Sequence, residues 1–173
     1  MWKNELLKTD EMRERERKRS AWRIRAIQCI AIAFLLGMAW GVIRARADTV
    51  NPYTEIIKGL DSEEEYLLKT IVYAEAGNQS TDGQRAVIEV IFNRMLSDEY
   101  PDHLGEVLSQ KGQFATWRYR HKISPTADQD AALQLVFEEP PILPSTEYVF
   151  FDTSGRNGTE HIKIGAHYFG RLK

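Results

Sequence analysis

The stretch AIQCIAIAFLLGMAWGVI, Ala26 to Ile43, holds 18 residues without a single charge, close to the roughly 20 that cross a bilayer as a helix. It has no polar face to turn toward water, so it reads as a membrane segment, and it divides the chain in two. Residues 1–47 hold 11 of the 23 Lys and Arg and five of the 25 Asp and Glu, about +6. The remainder is therefore about −8, a contrast hidden by the overall net charge of −2.

Nine Lys or Arg precede the apolar stretch, and only Arg44 and Arg46 follow closely. The bias of basic residues toward the cytosol then keeps the N-terminus inside and places everything after residue 47 outside. A cleaved signal is the rival, because Ala45-Arg46-Ala47 has the small-x-small form of a cleavage site. Both readings export the acidic part; the long charged leader favours the uncleaved anchor. The expected organisation is a cytosolic basic segment over 1–25, a single-pass anchor over 26–43, a tether over 44–60 and one domain over 61–173. Cys29, the single cysteine, lies inside the apolar stretch, which leaves the exported part no thiol for a disulfide or a nucleophile. The run EMRERERKR, Glu11 to Arg19, mixes signs and reads as a solvated helix, so no nucleic-acid partner is expected.

Within the exported part, Asp61 or Ser62 is a capping candidate, three glutamates follow in the first turn, and Gly77 is a natural stop. A helix is expected over this span, with Leu67, Leu68, Ile71 and Val72 on its apolar stripe. A second helix, from about Thr81 to Ser97, is apolar on nearly every side and so central to the core. A short helix follows near Leu104 to Ser109, then a basic and aromatic loop, QKGQFATWRYRHK. Ser124-Pro125 is expected to open another helix to about Glu138. Residues 146–153 and 160–170 are rich in aromatic and β-branched types around the turn-like SGRNG, which predicts a β-hairpin. The expected class is α+β, mainly helical, with a C-terminal hairpin.

Continuing the first stripe from Leu68, Ile71 and Val72 by three or four residues lands on Glu75. A lone carboxylate held against apolar groups has its charged form disfavoured, so its pKa rises, as a general acid requires. Two plainer fates stay open: Glu75 turns out to solvent on the last helical turn, or it pairs with Arg85 or Arg94.

The segments VYAEAGNQSTDGQRAVIEVIFNRM, YPDHLGEVLSQKGQFATW and KIGAHYFG resemble, in order and spacing, the signature blocks of the SleB/CwlJ-type spore-cortex-lytic cell wall hydrolases. The resemblance covers roughly Glu65 to Gly170. It implies a lysozyme-like, mainly helical catalytic fold and a lytic transglycosylase acting between N-acetylmuramic acid and N-acetylglucosamine, with Glu75 as the catalytic acid. It implies peptidoglycan as partner and needs no metal or cofactor. Here Ala76-Gly77-Asn78 stands where an A-R-G is common in the family, a departure that bears on substrate preference.

The remaining candidates take supporting places. Gln113 and Phe114, with Trp117 and Tyr119, offer hydrogen bonding and stacking to sugars, or else plug a loop. His167 is a candidate for the groove. Gly83, Gln84, Asn93 and Arg94 are expected to support the site, with Asn93 and Arg94 hydrogen-bonding near Glu75 as one option. A metal-dependent amidase using His161 and His167 with Asp152 is the alternative enzyme, since an i, i+6 spacing puts both histidines on one face of a continuous strand. A non-catalytic, membrane-tethered wall-binding scaffold is the alternative outside enzymes.

Overall fold

The computed structural model describes residues 51–172. The basic segment 1–25, the anchor 26–43 and the start of the tether lie outside the described residues. Among the described residues, no helix is long and apolar enough to cross a membrane. Five α-helices, a 3-10 helix and three strands follow in order: α1 (Thr54–Gly59), α2 (Ser62–Ala76), α3 (Thr81–Leu96), α4 (Leu104–Ser109), the 3-10 helix (Ala115–Lys122), α5 (Ala127–Glu138), β1 (Tyr148–Asp152), β2 (Thr159–Ile164) and β3 (His167–Arg171). The fold is mainly helical with a small antiparallel sheet.

The described end of the expected tether is part of the domain. Asn51 donates from Nδ2 to the Val136 carbonyl at 2.6 Å, and Tyr53 is 1% exposed, its hydroxyl donating to Asn93 Oδ1 at 2.8 Å. An aromatic ring whose polar tip finds a buried acceptor is worth burying, and composition around Asn51-Pro52 does not announce it.

Helix α2 starts on a capping box: the Asp61 carboxylate accepts from the Glu63 and Glu64 amides, and the Glu64 side chain accepts from the Asp61 amide. Leu68, Ile71 and Val72 are fully buried and Leu67 partly so. Helix α5 begins at Ala127 on a second capping box, Thr126 with Gln129, two residues later than Ser124-Pro125 predicts. The box satisfies two free helical N–H groups at once, which outweighs a proline at the first position.

Helix α3 is buried from Gly83 to Arg94 without a break, as its all-round apolar pattern requires. Its polar residues therefore need partners inside the protein. Gln84 accepts from Gln129 at 2.8 Å and donates to the Gln79 carbonyl. Arg85 reaches Glu139 at 2.8 Å and the Pro140 carbonyl. The Glu89 carboxylate accepts from the amides of Ile142 and Leu143 at 3.0 and 2.8 Å. Asn93 donates to the Tyr148 carbonyl at 2.8 Å, and Arg94 Nε to that of Val149 at 2.8 Å. One helix thus fastens α1, α5, the proline-rich loop 140–144 and β1.

The C-terminal region is a three-stranded sheet in the order β1-β3-β2, where a two-stranded hairpin is expected from sequence. Residues 160–170 do not form one strand; the chain reverses at Gly165-Ala166, so β3 lies between β1 and β2 and pairs antiparallel with both. Gly165 sits at φ +60°, the left-handed region open to glycine, and the next amide, of Ala166, donates to Gln79 Oε1 at 2.9 Å. A Cβ on Gly165 would meet that same oxygen at 2.7 Å.

Replacing Glu89 by leucine leaves two buried amides without acceptors, at about 1–3 kcal/mol each. Thermal unfolding followed by circular dichroism is expected to show a midpoint lower by about 4 °C or more for Glu89→Leu, by the scaling of roughly 2–4 °C per kcal/mol for chains of this length. An unchanged midpoint would remove this carboxylate from the set of contacts that hold the fold.

Candidate active site

Glu75 occupies the shoulder of α2. Ile71, Val72 and Ala76 take the fully buried positions, and Glu75 is half-buried between them and solvent. The 3-10 helix packs along α2 and brings Thr116, whose Oγ1 donates to Glu75 Oε1 at 2.6 Å. Among the described residues no Lys, Arg or His nitrogen lies within salt-bridge distance of this carboxylate. Arg85 and Arg94, its potential partners in the sequence, are engaged elsewhere. Its one bond is short and comes from a neutral hydroxyl, an arrangement that fixes one oxygen and leaves the other for a further partner.

His167, at the start of β3 and 7% exposed, lies within reach of the Glu75 charge. Its ring meets Phe151 edge-on at 5.5 Å between centroids and Phe169 at 6.3 Å, and Phe114 joins the cluster through Phe151 at 6.2 Å. Burial lowers the His167 pKa below its ordinary value, and the negative charges of Glu75 and then Asp152 act against that fall without reversing it. His167 is therefore neutral near pH 7. Its Nδ1 is buried and has no hydrogen-bond partner among the described residues.

Asp152 is consumed by its own turn. Its Oδ1 accepts from the amide and hydroxyl of Ser154 and from the Gly155 amide, and its Oδ2 accepts from the Asn157 amide. Burial pushes its pKa up, but the bonds from Ser154, Asn157 and Gly155 outweigh this and hold it well below the usual carboxylate range. Glu89, which is fully buried, has its pKa raised by burial, opposed by the Ile142 and Leu143 amides and by Arg85.

Of the residues singled out from sequence, the fold gathers Phe114 and His167 around Phe151 and puts His167 within reach of the Glu75 charge. Phe114 is a core residue, 3% exposed, under the guanidinium of Arg94 at 5.2 Å, and offers no open ring for stacking. Trp117 is half-buried, with Arg120 lying 4.0 Å from its ring centroid. Gln113 and Tyr119 are exposed, Tyr119 beside Arg118. Gln84, Asn93 and Arg94 spend their hydrogen bonds on Gln129, Gln79, Tyr53 and the start of β1 rather than on Glu75. Gly83 is small because α3 passes close to Gln79: a Cβ there would lie 2.8 Å from that of Gln79.

The pairing of His161 with His167 does not survive the turn at Gly165. His167 faces inward with Phe169, Phe151, Ile162 and Ile164, whereas His161 is exposed against Gly170 and binds the Asn157 carbonyl at 2.9 Å. Reversing the chain puts the two histidines on opposite faces of the sheet. Two contributors escaped the sequence reading: Thr116, hidden in a stretch read as loop, and Gln79, whose side chain ties the β2–β3 turn to the loop ahead of α3.

Because the folded pKa of His167 lies below the unfolded value of about 6.5, the unfolded chain takes up the proton first as pH falls. Stability is then lost as pH drops through about 6.5 toward the folded pKa and recovered above it. Denaturant unfolding at pH 7.5 and 5 is expected to show a smaller acid-induced loss for His167→Phe than for the parent. Equal losses would mean that His167 titrates alike in both states.

The profile of a family described as Cell Wall Hydrolase matches residues 78–170, a span that includes Thr116 and His167 and starts three residues after Glu75. Two solved structures share the fold at 21% sequence identity and a TM-score of 0.56, each covering 65% of this chain. One is the catalytic domain of the germination-specific lytic transglycosylase SleB from Bacillus anthracis, covered over 98% of its length. The other is the catalytic domain of the Bacillus cereus SleB protein, covered over 93%. No curated protein matches the chain. With more than half of its length matched by the profile, the chain is an enzyme that belongs to the cell wall hydrolase family.

Proposed function

We propose that this enzyme cleaves peptidoglycan glycan strands between N-acetylmuramic acid and N-acetylglucosamine as a lytic transglycosylase, with Glu75 as its single acid and base. The observation that carries the reading is the half-buried Glu75 carboxyl, free of cations among the described residues and held by Thr116 at 2.6 Å. Its place at the end of a helix in a mainly helical domain suits the lysozyme-like frame implied by the resemblance. The structural neighbour from Bacillus anthracis is a lytic transglycosylase.

The reaction balances on one carboxyl group. Protonated Glu75 gives its proton to the glycosidic oxygen as the bond to the muramic acid anomeric carbon breaks. The 6-hydroxyl of that muramic acid then attacks the same carbon, and its proton passes to the Glu75 carboxylate. A 1,6-anhydro end forms, a free sugar hydroxyl leaves, and Glu75 is restored without consuming water. Glycosidases that use water need a second carboxyl across the bond. Glu89 is enclosed and bound to two amides, and Asp152 is filled by four donors, so the one-carboxyl route suits this domain better.

The same proposal keeps the domain exported behind an anchor at 26–43. An anchored enzyme of this kind acts on wall lying close to its membrane.

Incubating the protein with peptidoglycan and weighing the soluble fragments tests the chemistry. Muropeptides one water lighter than their hydrated forms are expected, and Glu75→Gln is expected to reduce their rate of release by about 10²–10⁴-fold with the fold intact. Hydrated reducing ends from the parent would instead mean a water-using glycosidase. Thr116→Val is expected to slow release by roughly tenfold, the effect of one hydrogen bond to a carboxylate, and to move the pH profile. A Thr116→Ser variant that restores both would separate positioning of Glu75 from general loss of packing.

A further inference from the structure

Between the first half of α2 and the end of the 3-10 helix lies a cavity of about 410 Å³, lined by Asp61, Glu63, Glu64, Tyr66, Leu67, Thr70, Arg120 and His121. The Glu75 chemistry does not use it. Its inner lining comes from Leu67, the ring of Tyr66 and the Thr70 side chain, whose hydroxyl is spent on the Tyr66 carbonyl at 2.8 Å. That lining is therefore apolar.

The two rims carry opposite charge. On the α2 side Asp61 and Glu64 are committed to the capping box, but Glu63 has no side-chain partner among the described residues. On the facing side Arg120 donates one Nη1 bond to the Trp117 carbonyl at 3.0 Å and lies over the Trp117 ring. This holds the guanidinium in place with other N–H groups uncommitted. His121 stands exposed beside it. A ligand that fits such a site has small apolar groups in its middle, an ammonium toward Glu63 and a carboxylate toward Arg120 and His121.

We infer that this cavity binds the stem peptide carried by the muramic acid of the substrate. A peptide of small residues with a side-chain amine and a terminal carboxylate has all three features, whereas the uncharged sugar backbone has one. The placement agrees: Thr70, at the near end of the cavity, is five residues from Glu75 along α2, a rise of about 7.5 Å. A peptide branching from a sugar held at Glu75 reaches it within a few residues. The inference rests on the glycan-strand reading for the identity of the occupant, and it makes peptide-bearing strands the preferred substrate over strands stripped of peptide.

Two experiments on the full-length protein test it. In an NMR titration with a soluble tetrapeptide of alternating L and D residues bearing a free side-chain amine at its third position, saturable shifts are expected at the amides of Tyr66, Leu67, Thr70 and His121. Glu63→Gln and His121→Glu are each expected to weaken binding at least tenfold, as is acetylation of the amine. No saturable shifts, or shifts gathered around Glu75 and Thr116, would overturn the assignment. In the second, the parent is expected to release anhydro ends from peptide-bearing strands with about tenfold higher kcat/KM than from amidase-stripped strands. The two variants are expected to lose that preference while keeping the parent rate on stripped strands. Equal parental rates on both substrates would refute a role for the cavity in cleavage. Absence of both anhydro and hydrated sugar ends from either substrate would sink the glycan-strand reading, while the titration still decides whether the cavity takes peptide.

Discussion

A helix with no side facing water can keep polar residues only where each meets a partner, because an unmatched buried polar group costs free energy of the same order as a lost hydrogen bond. Helix α3 lives under that constraint from Gly83 to Arg94. Its carboxylate at Glu89 is matched by two consecutive backbone amides of the proline-rich loop, and its amide at Asn93 is matched on both ends, by Tyr53 and by the Tyr148 carbonyl. Each match pins a piece of chain that has little regular structure of its own. The directionality of these bonds sets where the loop and β1 lie, and apolar burial alone would leave both free to slide.

The candidate site inherits that placement. Arg94 holds the Val149 carbonyl, and β1 continues from there to Phe151, which packs between Phe114 and His167. Arg94 itself lies over Phe114 and near Tyr100, and burial lowers its pKa to about 10, with Tyr100 opposing. Its charge persists at neutral pH, so the cation under the aromatic cluster is permanent. Glu75 is thus positioned by α2 and by Thr116, whereas His167 is positioned by the sheet, and the two supports meet at the Gln79 side chain.

Much of the helical frame was legible because its signals are local. Asp61 with Glu64 marks the start of α2, and the apolar pattern of Ala86 to Phe92, interrupted by Glu89 alone, marks α3 as central. Glu75 stood out because a carboxylate on an apolar stripe breaks a period of 3.6 residues. The sheet was misread for an equally physical reason: a turn of Gly165 and Ala166 leaves alternation on either side undisturbed, and the side chain that binds the turn is 87 residues away in sequence. Thr116 was missed because its stretch of Arg, His and Tyr carries no helical stripe, and its conformation follows from packing on α2. Partners such as Tyr53 with Asn93 join distant positions, and no periodicity in a single sequence reports such a match.

The clasp between Gln79 and the Ala166 amide has a bearing on when the enzyme becomes competent. Helix α2, which carries Glu75, forms on local signals, but the contact at the β2–β3 turn joins positions 87 residues apart, and closing so long a loop precedes any gain from the contacts it permits. A chain whose sheet has not yet docked holds the helix of Glu75 without the strand that carries His167. Docking of the sheet therefore comes late in folding, and the two sides of the candidate site meet only once β3 is in place.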